Sequence, residues 1–114
     1  MFEVNLINYT TRDFISKAEL ELFISKQDTF YTKEVIAEFK KAGLARRVVT
    51  KIWNKEGISR LGHLFEYEDE KAYKKCQPVF EEIERKEKED QLIKVFANRG
   101  IILEEYDFRH KEDD

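Results

Sequence analysis

The segment from Arg60 to Tyr73, RLGHLFEYEDEKAY, constrains the fold more than any other part of the chain. Strand side chains alternate between two faces, so Leu61, His63, Phe65 and Tyr67 share one side while Gly62, Leu64 and Glu66 share the other. Large apolar groups occur on both sides, so both faces call for cover. The alternation stops at Glu68-Asp69-Glu70, carboxylates suited to the positive end of a helix dipole. Ala72, Tyr73, Cys76, Val79, Phe80 and Ile83 then form a helical stripe, interrupted by Pro78, which marks a kink or a junction between two pieces.

The flanking segments extend this pattern. Phe2 to Thr11 begins with strict alternation and reads as a strand, with Ile7 and Tyr9 making its second face partly apolar. Ser16-Lys17-Ala18-Glu19 has capping-box spacing, which predicts a serine-to-amide bond and a returning Glu19 carboxylate. A helix follows, broken near Asp28-Thr29. A second helical piece starts near Thr32 and stops at Gly43. Arg46 to Asn54 is rich in β-branched residues and forms, with Ser59 to Tyr67, a hairpin turning at Lys55-Glu56-Gly57. ERKEKED, residues 84–90, reads as a solvated charge run. Gln91 to Asn98 suits a short helix and Ile101 to Phe108 a final strand, followed by a frayed tail over residues 110–114.

The order β-α-β-β-α-β, with a split first helix, is the ferredoxin-like α+β arrangement: one domain over residues 1–109, a four-stranded antiparallel sheet with its helices on one face. Helices cover one sheet face only, so an apolar second face predicts a homodimer whose sheets meet in a shared barrel. His63 is expected on the side facing the second subunit.

Composition narrows the function. Charged residues form 39% of the chain but leave a net charge of only −3, so the basic field of a nucleic-acid binder is missing. Cys76 stands alone, which excludes an intramolecular disulfide and a cysteine zinc cluster. Four scattered glycines make no phosphate loop. No run approaches the ~20 apolar residues of a membrane span, and the N-terminal residues lack signal-peptide features, so the expectation is a cytoplasmic protein without metal or cofactor.

GHLFEYEDEKAY resembles the strand-to-helix segment of NIPSNAP-like proteins, His-Leu-Trp-x-Tyr-Glu, through His63, Leu64, Phe65, Tyr67 and Glu68, with Phe65 at the tryptophan position. Tyr9-Thr10 and QLIKVFANRGIILEEYDFRH are similar to the end of that family's first strand and to its closing helix and strand. Asn5 stands where the family has an arginine, and Thr11-Arg12-Asp13 replaces its Pro-Gly. The resemblance implies a dimeric α+β barrel. That superfamily includes small monooxygenases, haem-degrading enzymes, aldoxime dehydratases, cyclases and proteins without known activity.

Two functional readings follow. In one, the barrel binds a small apolar or aromatic molecule, with Tyr9, Phe65 and Tyr67 against the ligand, or acts as an interaction module. In the other it is a monooxygenase or isomerase for a small aromatic or quinol-like substrate. Some monooxygenases of the superfamily use asparagine and tryptophan without metal or flavin, which by resemblance nominates Asn5, Asn8 and Trp53 beside His63. A neutral-pH base suits His63, an amide stabilises an oxyanion, and an indole donates or stacks. The competing reading of each is structural: a packed histidine, and aromatics at strand ends.

Overall fold

The computed structural model describes residues 3–89 and 91–109. Its elements are β1 (Leu6–Phe14), α1 (Lys17–Phe30), α2 (Lys33–Ala42), β2 (Leu44–Lys51), β3 (Ser59–Tyr67), α3 (Glu70–Glu87) and β4 (Ile93–Ile101). The strands lie in the order β2-β3-β1-β4, each antiparallel to its neighbours. This is the ferredoxin-like α+β architecture expected from the element order, with the first helix divided in two.

Local chemistry fixes the helix ends. Ser16 caps α1 by accepting from the Glu19 amide at 3.1 Å. The Glu19 carboxylate does not close the box; it accepts from Gln91 instead, at 3.2 Å. Thr32 caps α2 and Asp69 caps α3, each accepting from the amide three residues on. Gly43 ends α2 at φ 106°, a left-handed conformation that favours glycine. Pro78 is accommodated inside a single helix, which extends to Glu87 and so absorbs half of the charge run.

Three boundaries differ from expectation. The first strand starts at Leu6 and reaches Phe14, bringing Arg12 into the sheet. The second ends at Lys51, leaving Trp53 in the connecting loop. Residues 93–101, expected to divide between a helix and a last strand, are β4, and residues 102–109 lie outside the regular elements. Ile93, Val95 and Ala97 satisfy period two as well as Leu92, Val95 and Phe96 satisfy the helical period, so a window this short is ambiguous. The free edge of β1 decides it, pairing from Leu6↔Ile101 to Phe14↔Ile93. The tail beyond residue 109 lies outside the described residues.

All three helices cover one sheet face. That face presents Leu6, Asn8, Thr10, Arg12 and Phe14 from β1, and Leu61, His63, Phe65 and Tyr67 from β3, all buried. Apolar side chains form two clusters here: Leu6, Phe39, Phe65, Tyr67, Ala72, Cys76, Phe80 and Ile83 at one end, and Phe14, Leu20, Phe23 and Leu61 at the other. The polar residues Thr10, Arg12 and His63 occupy the strands between them. His63 therefore lies under the helices, not on the opposite face where it was expected. The strand alternation was read correctly, but both faces carry apolar groups, and the pairing with β1 places the helices on the His63 side. The other face presents Ile7, Tyr9, Val48, Leu64 and Phe96 among charged residues, with Tyr9 and Phe96 exposed.

Gly43 also brings β2 close to α3, since a Cβ there would sit 2.5 Å from Ala72 Cβ. Gly43→Ala is expected to destabilise the fold by about 1–3 kcal/mol from the backbone conformation alone, and by more from the contact. A urea midpoint unchanged from wild type would contradict this.

Candidate functional site

Arg12 is the centre of the polar layer. Extended β1 directs its side chain under the helices, on the same face as His63 of the neighbouring β3. Its Nη1 lies 3.0 Å from His63 Nδ1, and its Nη2 lies 3.4 Å from Glu87 Oε1 at the end of α3. A guanidinium only donates, so His63 Nδ1 accepts and the proton of the neutral ring resides on Nε2. Burial first, then the charges of Arg12 and Arg47, push the His63 pKa down to about 2. Burial raises Glu87 above its ordinary value, while Arg12 acts in the opposite direction. His63 packs edge-on to Phe23 and parallel to Phe65.

Arg47, on the helix-facing side of β2, continues this layer outwards. Its Cζ lies 3.6 Å from the centre of the Tyr31 ring, and its Nη2 donates to Gln27 Oε1 at 2.6 Å. Arg47 Nε and His63 Nε2 are buried without a hydrogen-bond partner. With His63 neutral, Arg12 and Arg47 face one carboxylate, Glu87, leaving one excess positive charge.

A cleft of about 550 Å3 opens beside Arg47, between α2 and β2. Tyr31, Ile36, Phe39 and Leu44 supply apolar walls, and Lys40, Arg46 and Arg47 supply the charge; no carboxylate lines it. Tyr31 and Phe39 stack with ring centres 6.1 Å apart. The volume and lining suit a small molecule with an apolar body.

The structure brings together only some of the residues nominated by sequence. His63, Asn8, Phe65 and Tyr67 share the helix-facing side of β1 and β3, and Asn8 Oδ1 accepts from Thr10 at 2.8 Å. Asn5 lies before β1 and donates to the Glu68 carbonyl. Trp53 is 89% exposed, against a different depression. Tyr9 points from the uncovered face. Cys76 is buried, which pushes its thiol up to about 11 and makes it a poor nucleophile. Sequence reasoning missed Arg12, Arg47, Tyr31 and Glu87. One signal was present: Glu87 continues the Ala72, Cys76, Phe80, Ile83 stripe at helical spacing. Among the described residues, no group of three or more His, Cys, Asp or Glu side chains is placed to hold a metal ion, and no helix is long and apolar enough to cross a membrane.

The sheet, its one-sided helix layer and the cleft define an α+β protein of the ferredoxin-like class. A family model for a domain of unknown function, DUF6974, matches residues 3–102, and the chain belongs to that family. It is similar to a dimeric ferredoxin-like protein from an uncultured marine organism at 32% identity and TM-score 0.80, over 90% of this chain and 97% of that one. A second dimeric ferredoxin-like protein from an uncultured marine organism is 24% identical, with TM-score 0.72, over 91% and 100% of the two chains. A proposed antibiotic-biosynthesis monooxygenase of Bacillus cereus shares the fold at 15% identity and TM-score 0.62, over 92% and 99%. No curated protein matches the chain.

The neutral state of His63 has a measurable consequence. The folded protein leaves the ring unprotonated down to about pH 2, whereas the unfolded chain protonates it near 6.5. Its contribution to stability is complete above pH 6.5 and is lost as the pH falls below it. His63→Gln keeps an acceptor for Arg12 and cannot titrate. Between pH 6.5 and 5, wild type is expected to lose about 1.6 kcal/mol in all beyond what this variant loses. Urea titrations showing equal slopes would rule the assignment out.

Proposed function

We propose that the protein is a homodimeric α+β barrel, one domain spanning residues 1–109, that binds a small aromatic or apolar molecule bearing an anionic group. The reading rests on the cleft between α2 and β2, where Arg47 stacks on Tyr31 in an apolar, carboxylate-free wall. The buried layer behind it holds one positive charge more than it neutralises. An aromatic body would lie against Tyr31, Phe39 and Leu44, with its carboxylate on the guanidinium. Dimerisation is supported by the uncovered apolar sheet face and by the dimeric relatives. The His63-Leu64-Phe65-x-Tyr67-Glu68 run supports NIPSNAP-like kinship, and a cytoplasmic setting belongs to the same reading.

A second reading, a monooxygenase or isomerase acting without a cofactor on a quinol-like aromatic, is favoured by a different observation. Asn8, His63 and Tyr67 occupy one layer, in which His63 Nε2 lacks a partner. The fold shared with the proposed B. cereus monooxygenase is in keeping with it. Trp53 and Asn5 have no part in this version. Oxygen uptake with a naphthohydroquinone, lost in His63→Ala, would establish it.

Calorimetry with 2-naphthoate and 2-naphthalenemethanol tests the preferred reading. The carboxylate is expected to bind about tenfold more tightly than the alcohol, as one charge-assisted contact would give. Arg47→Leu should erase that difference. Equal affinities would remove the anionic requirement, and no binding of either at millimolar concentration would remove the cleft as a site.

A further inference from the structure

Among the described residues, Glu87 is the one buried carboxylate, with 3% of its surface exposed. Its place on the sheet-facing stripe of α3 brings it to Arg12, Nη2 to Oε1, at 3.4 Å. A second contact leads outwards. The Gln27 side chain of α1 bonds the Glu87 carboxylate, and its Oε1 accepts from Arg47 Nη2 at 2.6 Å. Its Nε2 also reaches the Phe23 carbonyl at 3.4 Å. Both ends of the amide are therefore assigned, the oxygen to the arginine and the nitrogen to the carboxylate and the carbonyl. Glu87 is thus joined to the cleft wall by two hydrogen bonds, through a residue that does not itself line the cleft.

We propose that Glu87 sets the charge of what the cleft accepts: it is the resident counter-ion of Arg12 and Arg47, and a ligand anion on Arg47 takes over part of that role, so that the anion binds together with a proton on Glu87. The inference rests on the aromatic-anion site proposed above and adds its coupling to pH.

The charges around Glu87 decide the sign. Facing it are Arg12 from β1, Gln27 from α1, Arg47 from β2, and Glu84 on its own helix, itself 4.0 Å from Lys88. Tyr31 feels the Glu87 charge as well, but burial keeps its phenol above its ordinary range. His63, beyond Arg12, is neutral. With Glu87 ionised the layer carries one excess positive charge, and with Glu87 protonated it carries two. The protonated form attracts an anion more strongly, and by linkage the bound anion favours the protonated form. Burial already holds Glu87 above the ordinary 4.5 of a glutamate, with Arg12 opposing and Glu84 reinforcing. The ligand therefore acts on a carboxylate that is easy to protonate.

The cleft wall offers no competing group for that proton. Its titratable residues, Tyr31, Lys40, Arg46 and Arg47, are of types that exchange protons at about pH 10 and above. Arg46 is 3.7 Å from Glu66, on the opposite face of the sheet. Two hydrogen bonds and the groups between them put a carboxylate on Arg47 within about 12 Å of Glu87. One charge at that distance, in an effective dielectric of about 20, changes affinity about tenfold.

Titration calorimetry on the full chain with 2-naphthoate, at pH 5.5 and 8 and in two buffers of different ionisation enthalpy, provides the test. The ligand's carboxyl titrates near ~4, so it stays ionised throughout. Wild type is expected to take up about half a proton per ligand at pH 5.5 and to bind several-fold more tightly there than at pH 8. The neutral 2-naphthalenemethanol should show neither effect. Glu87→Gln should bind 2-naphthoate about tenfold more tightly than wild type at pH 8, without proton uptake. Arg47→Leu, which keeps Glu87, should also take up none. No binding of 2-naphthoate at either pH would overturn the cleft as a site, and the coupling with it. Binding at equal affinity at the two pH values, without proton uptake, would overturn the coupling and leave the cleft standing. Uptake that persists in Glu87→Gln would assign the proton to another group and overturn the coupling as well. If Glu87→Gln does not fold, Arg47→Leu decides: uptake lost there supports the coupling, and uptake retained overturns it.

Discussion

The burial of Arg12 is the constraint on which the rest of the structure depends. A guanidinium cannot discharge itself, so the interior around it must supply acceptors. Glu87 is drawn in from the last turn of α3, and His63 is held with Nδ1 unprotonated. This couples β1, β3 and α3 through one side chain. Such a buried pair adds little net stability, because desolvation offsets its attraction, but removing one partner costs about 3–5 kcal/mol. Arg12 therefore acts through position: it sets which end of α3 lies over which part of the sheet.

That layer also divides the interior. The larger apolar cluster lies towards α2 and the first turns of α3, and the smaller lies under α1. A continuous hydrocarbon core would have closed over the sheet. Here the helix above β1 breaks at Tyr31, and the chain re-enters as α2 with a cleft between it and β2. Arg47 stands where the polar layer meets this cleft, stacked on Tyr31 and bonded to Gln27. The charge of this layer thus reaches the wall of the cleft, and with positive sign.

Much of the architecture was legible in the sequence because it depends on local chemistry. Ser16, Thr32 and Asp69 each stand where a cap is needed, Gly43 stands where a left-handed turn is needed, and β3 alternates without interruption. What was not legible depends on partners distant in sequence. Both faces of β3 carry apolar groups, so alternation alone did not say which face met the helices; pairing with β1 decides it. Arg12 followed Thr10 and Thr11 in what read as the end of a strand, and only the pairing with β3 and β4 shows that the strand continues. Glu87 was hidden in a charge run although it lies on the buried helical stripe. The candidate site was legible in part: His63 and Asn8 do share a buried layer, while Trp53, chosen for its chemistry, lies in a loop outside it.

The two sheet faces solve different problems. Towards the helices, charges are buried singly and must find partners across elements, which makes that side specific and leaves polar atoms such as His63 Nε2 unpartnered. On the other face Asp13 pairs with Arg60 and Glu66 with Arg46, and Lys94 stands beside Asp13 as a further cation, among the apolar Ile7, Tyr9, Val48, Leu64 and Phe96. The paired charges of that face carry little means of selecting a partner, so its selectivity rests on shape and on the charge of Lys94.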